Sequence, residues 1–166
     1  MKPLIPAEQP TPPRTAIGHI HLKVSDLDRA IGFYSGVLGF DVIARLESGA
    51  AFLSAGGYHH HIGLNTWESA GATPPPPGHT GLYHTAFLYP TRSDLAAALR
   101  RVLEAGHKIT GKADHGVSQA VYLDDPDGNG VELYWDKPKE QWLMNEDGTL
   151  NMVNAPLDLD ALLAET

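Results

Sequence analysis

The sequence predicts an α+β fold in which two βαβββ modules pair about a pseudo-twofold axis into an open, barrel-like mixed sheet around a cavity. Three observations lead there. Strand-like alternation and helix-like spacing recur in the same order at a period of about 65 residues. Each half opens on a strand with a histidine near its start, His19 and His84. Glu132 lies in the middle of the last apolar strand, where a carboxylate is costly to bury unless it is paired, hydrogen-bonded or bound to a metal.

Residues 1–15 are rich in proline and polar side chains and read as a flexible arm. The domain spans 16–136. Ile17–Val24 alternates, with Ile20, Leu22 and Val24 on one face and His19, His21 and Lys23 on the other. Ser25-Asp26-Leu27-Asp28 has capping-box spacing, with Ser25 or Asp26 as N-cap. The following helix buries Leu27, Ala30, Ile31 and Tyr34 and stops at Gly36 and Gly39. Phe40–Leu46, Ala50–Ala55 and Tyr58–Trp67 read as strands and complete the module over 16–67.

The proline-rich connector, 68–81, is stiff and extended at Pro74–Pro77. It is a crossover within one domain, because two half-open sheets cannot close alone. The second module, 82–136, repeats the order. Leu82–Tyr89 is a strand, and Thr91 caps a helix that buries Leu95, Ala98, Leu99, Val102 and Leu103 and ends at Gly106. Strands follow at His107–Ala113, Ala120–Leu123 and Val131–Trp135. The last two flank a turn in which Pro126 fixes φ, Asp127 bonds its own backbone, and Gly128 and Gly130 supply positive φ. Residues 137–166 form a tail with a short helix near Pro156–Leu163, which either packs on the domain or makes a dimer contact.

Composition excludes several functions. There is no cysteine, so no disulfide, thiolate metal site or cysteine nucleophile. A net charge of −8 argues against a nucleic-acid partner. No run of about 18 apolar residues suggests a membrane helix, and the N-terminus lacks the apolar region of a signal peptide, so the expectation is a cytoplasmic protein. Nine histidines without cysteine point to a metal held by imidazole and carboxylate, which suits Fe, Mn, Zn or Ni.

If the modules are related by a pseudo-twofold, His19 and His84 meet in one cavity with Glu132. Two imidazoles and a carboxylate with open positions form a 2-His-1-carboxylate facial triad. His21 shares the parity of His19 and competes with it, but His19 is the residue that matches His84. The last strand of the first module brings His59, His60 and His61, any of which can also face the metal. His79 and His107 read as solvated.

The stretches GHIHLKVSDLDRAIGFYSGVLGF, GLYHTAFL and YLDDPDGNGVELYW resemble the vicinal oxygen chelate superfamily over residues 16–136. That superfamily includes glyoxalase I, bleomycin-resistance proteins and extradiol dioxygenases, and the chain is most similar to the ring-cleaving module of catechol 2,3-dioxygenases. The resemblance implies His19, His84 and Glu132 as ligands of Fe(II), with Mn(II) or Zn(II) as alternatives. It implies His60 as the acid–base residue beside the metal, and Tyr122 and His115 as hydrogen-bonding partners of a substrate oxygen. The implied partners are a catechol-type aromatic, bound through two adjacent oxygens, and O2. Two other activities are represented in the superfamily. Glyoxalase-type enzymes carry a ligand glutamate on the fourth strand of the first module, where this chain has histidines and no acid. Non-catalytic binders of the bleomycin-resistance type usually lack the ligand set.

Overall fold

A computed structural model describes all 166 residues. The first module runs β1 (Ile20–Lys23), α1 (Leu27–Ile31), β2 (Asp41–Leu46), β3 (Ala50–Ser54) and β4 (Ile62–Asn65). The second runs β5 (Thr85–Leu88), α2 (Arg92–Glu104), β6 (Ile109–Asp114), β7 (Ser118–Asp124) and β8 (Gly130–Asp136), and α3 (Leu159–Leu163) lies in the tail. The strands make two four-stranded mixed sheets of identical topology, β1-β4-β3-β2 and β5-β8-β7-β6. In each, the first strand runs parallel to the last and the remaining pairs are antiparallel.

The register fixes which positions correspond. Ile20 faces Ile62 on β4, and Thr85 faces Val131 on β8. His19 and His84 therefore each stand one residue ahead of equivalent strands. By the same register Gly63, opposite His21, is the counterpart of Glu132, opposite Ala86. The His59–His61 run precedes β4 rather than lying in it. The expected strand from Tyr58 is shorter because Gly56 and Gly57, both at positive φ, turn the chain, and pairing with β3 leads into β4 only from Ile62 onward.

The helices form largely where the spacing places them. Asp26 is the N-cap of α1, accepting from the Arg29 N–H, and the chain continues through a π-helical stretch, Gly32–Val37. Thr91 and Asp94 make a reciprocal capping box at α2. Gly106 follows α2 at φ +78°. In the β7–β8 turn only Gly128 has positive φ; Gly130 does not. Asp125, not Asp127, ties that turn together. Its Oδ1 accepts from the N–H groups of Asp127 (2.9 Å) and Asn129 (2.8 Å).

Both modules feed one apolar core of 22 buried residues, including Leu22 and Leu64 from the first sheet and Val131 and Leu133 from the second. Polar locks span the junction. Asp127 accepts from the Ser25 N–H (3.0 Å), the Ser25 hydroxyl (2.6 Å) and the Arg29 guanidinium (2.5 Å). Buried Tyr34 donates to Asp125 at 2.9 Å. Arg101 donates to the carbonyls of Val37 and Leu38. The two sheets do not close into a barrel within the chain: β1 hydrogen-bonds only β4, and β5 only β8. No helix is long and apolar enough to cross a membrane.

Candidate metal centre

The second module assembles four of the residues singled out in the sequence. Gly130 makes this assembly possible. A Cβ there would run into the Tyr83 carbonyl and come within 3.1 Å of the His84 Cβ. Glycine lets the start of β5 lie close over β8, and His84 Nε2 comes to 2.8 Å from Glu132 Oε2. Tyr122, opposite Glu132 on β7, donates to Glu132 Oε1 at 3.1 Å. His115 Nε2 lies 2.7 Å from the Tyr122 hydroxyl. Its Nδ1 lies 3.1 Å from the carbonyl of Val153 in the tail. A carbonyl only accepts, so Nδ1 carries a proton toward Val153. Tyr122 has one proton to give, to His115 or to Glu132. Burial, and then the Glu132 charge, push its hydroxyl up to about 12, so it stays protonated.

Glu132 is buried, with 9% of its surface exposed. The His84 Nδ1 is also buried and has no partner. These donors fit a divalent metal. Two ligands at about 2.1 Å and a right angle stand about 3 Å apart, close to the His84–Glu132 separation. A cavity of about 470 Å³ opens beside them, lined by Tyr83, His84, Gly111, Tyr122 and Gly130. That is room for a small aromatic molecule.

His19 and His60 stand together on the other sheet, ring centres 4.4 Å apart. His59 Nδ1 approaches His60 Nδ1 at 2.8 Å. Burial first, and then the imidazoles of His19, His59, His21 and His61, lower the pKa of His60. His61 is committed elsewhere, its Nδ1 accepting from the Ala55 N–H and lying 3.1 Å from the Ser54 hydroxyl. The His21 ring lies over Gly63, where a Cβ would meet it at 2.8 Å, and packs near Phe52 and Trp67. His79 is exposed, as expected. His107 is not simply solvated: its ring packs edge-on to Phe33, with centres 5.0 Å apart.

Within one chain, then, His84, Glu132, Tyr122 and His115 come together, while His19 and His60 form a separate group. No three histidine, aspartate or glutamate side chains are placed to hold a metal. The expected meeting of His19 with His84 and Glu132 is absent because the modules pack through their helices, with these faces turned away from the shared core. Sequence reasoning missed two supporting positions. Gly130 was assigned to the turn, although its need is close approach. Val153 lies in the polar tail, and no local pattern marks its carbonyl.

Comparisons with known proteins agree with this architecture. Residues 16–133 match the Glyoxalase/Bleomycin resistance protein/Dioxygenase superfamily. The chain is 40% identical over 151 residues to a catechol-2,3-dioxygenase of Bacillus subtilis (strain 168), covering 91% of this chain and 52% of that protein. It is 34% identical over 120 residues to biphenyl-2,3-diol 1,2-dioxygenase 3 of Rhodococcus globerulus, covering 72% of this chain and 63% of the relative. It thus spans between about half and just under two thirds of these relatives. Among solved structures, a glyoxalase/dioxygenase from Nostoc punctiforme superposes with a TM-score of 0.62 at 22% identity, over 80% of this chain and 100% of that one. A lactoylglutathione lyase from Agrobacterium tumefaciens superposes with a TM-score of 0.57 at 26% identity, over 75% and 96%. Duplicated modules, matching sheet topology and these similarities lead to one conclusion: the chain belongs to the Glyoxalase/Bleomycin resistance protein/Dioxygenase superfamily.

Proposed function

We propose that the protein is an Fe(II)-dependent extradiol dioxygenase that opens the ring of a catechol-type aromatic with O2. The observation that carries this reading is the hydrogen-bonded row His84–Glu132–Tyr122–His115 beside a cavity of about 470 Å³. The relatives named as catechol and biphenyl-diol dioxygenases support it. In the overall reaction the carbon–carbon bond next to the diol breaks and both atoms of O2 enter the product.

His19, His84 and Glu132 would hold the metal. When bound, it supplies Lewis acidity toward the diol oxygens and an electron path between diol and O2. One carboxylate and two neutral imidazoles leave a divalent ion with net positive charge, which favours a diol that has lost a proton. His60, beside His19, takes that proton and returns one later; an imidazole suits both tasks. Tyr122 stays a donor and orients a substrate oxygen. His115, held by the Val153 carbonyl, fixes the direction of the Tyr122 hydroxyl. Tyr83 and Leu82 line the cavity where the ring would sit. A glyoxalase-type reaction is less well supported, because the position equivalent to Glu132 in the first module is Gly63.

The test is O2 uptake by protein loaded anaerobically with Fe(II) and offered a panel of catechols, including biphenyl-2,3-diol. Stoichiometric O2 consumption with a yellow ring-fission product supports the reading. Bound iron with no O2 consumed by any diol contradicts it.

A further inference from the structure

We infer that the cavity selects its diol by the charge of the ring substituent: a short alkyl arm ending in an ammonium group is held at Asp124, and an arm ending in a carboxylate is rejected. This rests on the proposed dioxygenase function, since it names the substituent of that function's substrate.

The end of the cavity beyond Tyr122 carries the inference. Tyr122 and Asp124 stand two residues apart on β7, so their side chains share one face of the sheet. Tyr122 reaches Glu132. A ring whose diol lies at Glu132 and Tyr122 has to cover two strand residues, about 7 Å, to reach Asp124. The ring and a two-carbon arm cover that distance. Among the residues lining the cavity Asp124 is the one carboxylate, and none is a lysine or arginine. None of the chain's six ion pairs uses Asp124. On β8 it stands opposite Gly130, so no side chain crosses the strand pair to meet it.

Asn129 adds a second acceptor. Its Nδ2 donates to Asp125 at 2.9 Å, which leaves Oδ1 free to accept. This end of the cavity therefore offers a negative charge and oxygen acceptors. An ammonium answers both with a positive charge and three donors. A carboxylate arm would set like charges together with no cation beside them. The path between the two ends is open and partly apolar. Gly111 on β6 stands opposite Tyr122, where a Cβ would come within 3.3 Å of the Tyr122 ring, and Pro75 of the connector lines the same cavity. The net charge of −8 also favours the approach of a cation.

Three catechols substituted para to one hydroxyl test this: an aminoethyl, a propyl and a carboxymethyl catechol, with arms of matched length. On Fe(II)-loaded wild-type protein kcat/KM should fall in that order. Asp124 is exposed, so each step should be about 2–5-fold, and added salt should narrow the spread. Asp124→Asn should bring the three diols within about 2-fold of one another, and Asp124→Lys should reverse the order. Wild-type protein that is indifferent to the arm, or prefers the carboxylate, overturns the inference and leaves the dioxygenase reading standing. So does an order that survives Asp124→Lys. A second readout is binding without turnover. Zn(II) does not change its redox state, and calorimetric Kd values for the three diols on Zn(II)-loaded protein should follow the same order and the same reversal. That order with no O2 consumed by the Fe(II) protein would sustain charge selection at Asp124 and overturn the dioxygenase reading. Failure of all three diols to bind would overturn both.

Discussion

The two modules have the same strand order and the same register, but they fill one pair of positions in opposite ways. In the first, the edge strand β1 carries a large ring, His21, and the partner strand β4 carries Gly63 beneath it. In the second, the edge strand β5 carries Ala86 and the partner strand β8 carries Glu132. The large and small residues are exchanged across the strand pair. Only the second sheet places a carboxylate there, and that carboxylate organises His84, Tyr122 and His115 around itself. The glycines differ in the same sense. Gly63 makes room for a ring that merely packs, whereas Gly130 makes room for His84. A duplicated scaffold can therefore specialise one copy through a few small-for-large exchanges without disturbing its topology.

The largest effect should come from removing His84 rather than His21, the ring that packs over Gly63 in the first module. His84→Ala is expected to lower metal affinity by more than the roughly 100-fold that loss of an outer hydrogen-bonding partner costs. His21→Ala should leave affinity within a few-fold; metal titration of both checks the contrast. Next is Tyr122→Phe, which removes the hydroxyl shared by His115 and Glu132. Turnover should fall about 10–100-fold with iron retained. Loss of iron would instead give Tyr122 a role in holding the ligand. Smaller again is the glycine pair. Gly130→Ala pushes against the Tyr83 carbonyl and His84 and should weaken metal binding about 10-fold. Gly63→Ala, which only displaces the His21 ring, should change thermal stability and not metal affinity.

At the junction of the modules, Asp127→Ala removes three hydrogen bonds from Ser25 and Arg29 and should lower stability by about 1–3 kcal/mol in denaturant titration. The smallest effect concerns the tail. Burial opposes the charge on Asp114, but bonds from Lys137, Gln119 and the Gly116 N–H outweigh it and hold the carboxyl below the ordinary aspartate range. Its stabilising contribution is thus complete above the unfolded value of about 3.9 and is lost as pH falls through the lowered one. Lys137→Met should flatten that part of the acid-unfolding profile.

Much of this was legible in the chain. Period-2 alternation placed the strand cores, and Thr91-x-x-Asp94 and Gly106 bounded α2. The equivalence of His19 and His84 survives in the structure to the residue. What the sequence concealed is relational. Alternation does not say that Gly63, rather than a histidine of the 59–61 run, corresponds to Glu132; that needs the register of β1 on β4. Spacing cannot distinguish a glycine needed for φ, as at Gly128, from one needed for close approach, as at Gly130. Nor does an internal repeat say whether its two halves face each other or turn their helices together. Here the packing of Tyr34, Phe40 and Phe87 between the modules decides it, and that packing carries no local pattern.

The carboxylate that separates the modules is the centre of the account, and anaerobic Fe(II) titration of wild-type and Glu132→Gln protein tests it most directly. Glutamine keeps the shape of the side chain and removes its charge. The account predicts about one iron per chain in the wild type and little in the variant, with both equally folded. Equal iron in the two proteins would contradict it.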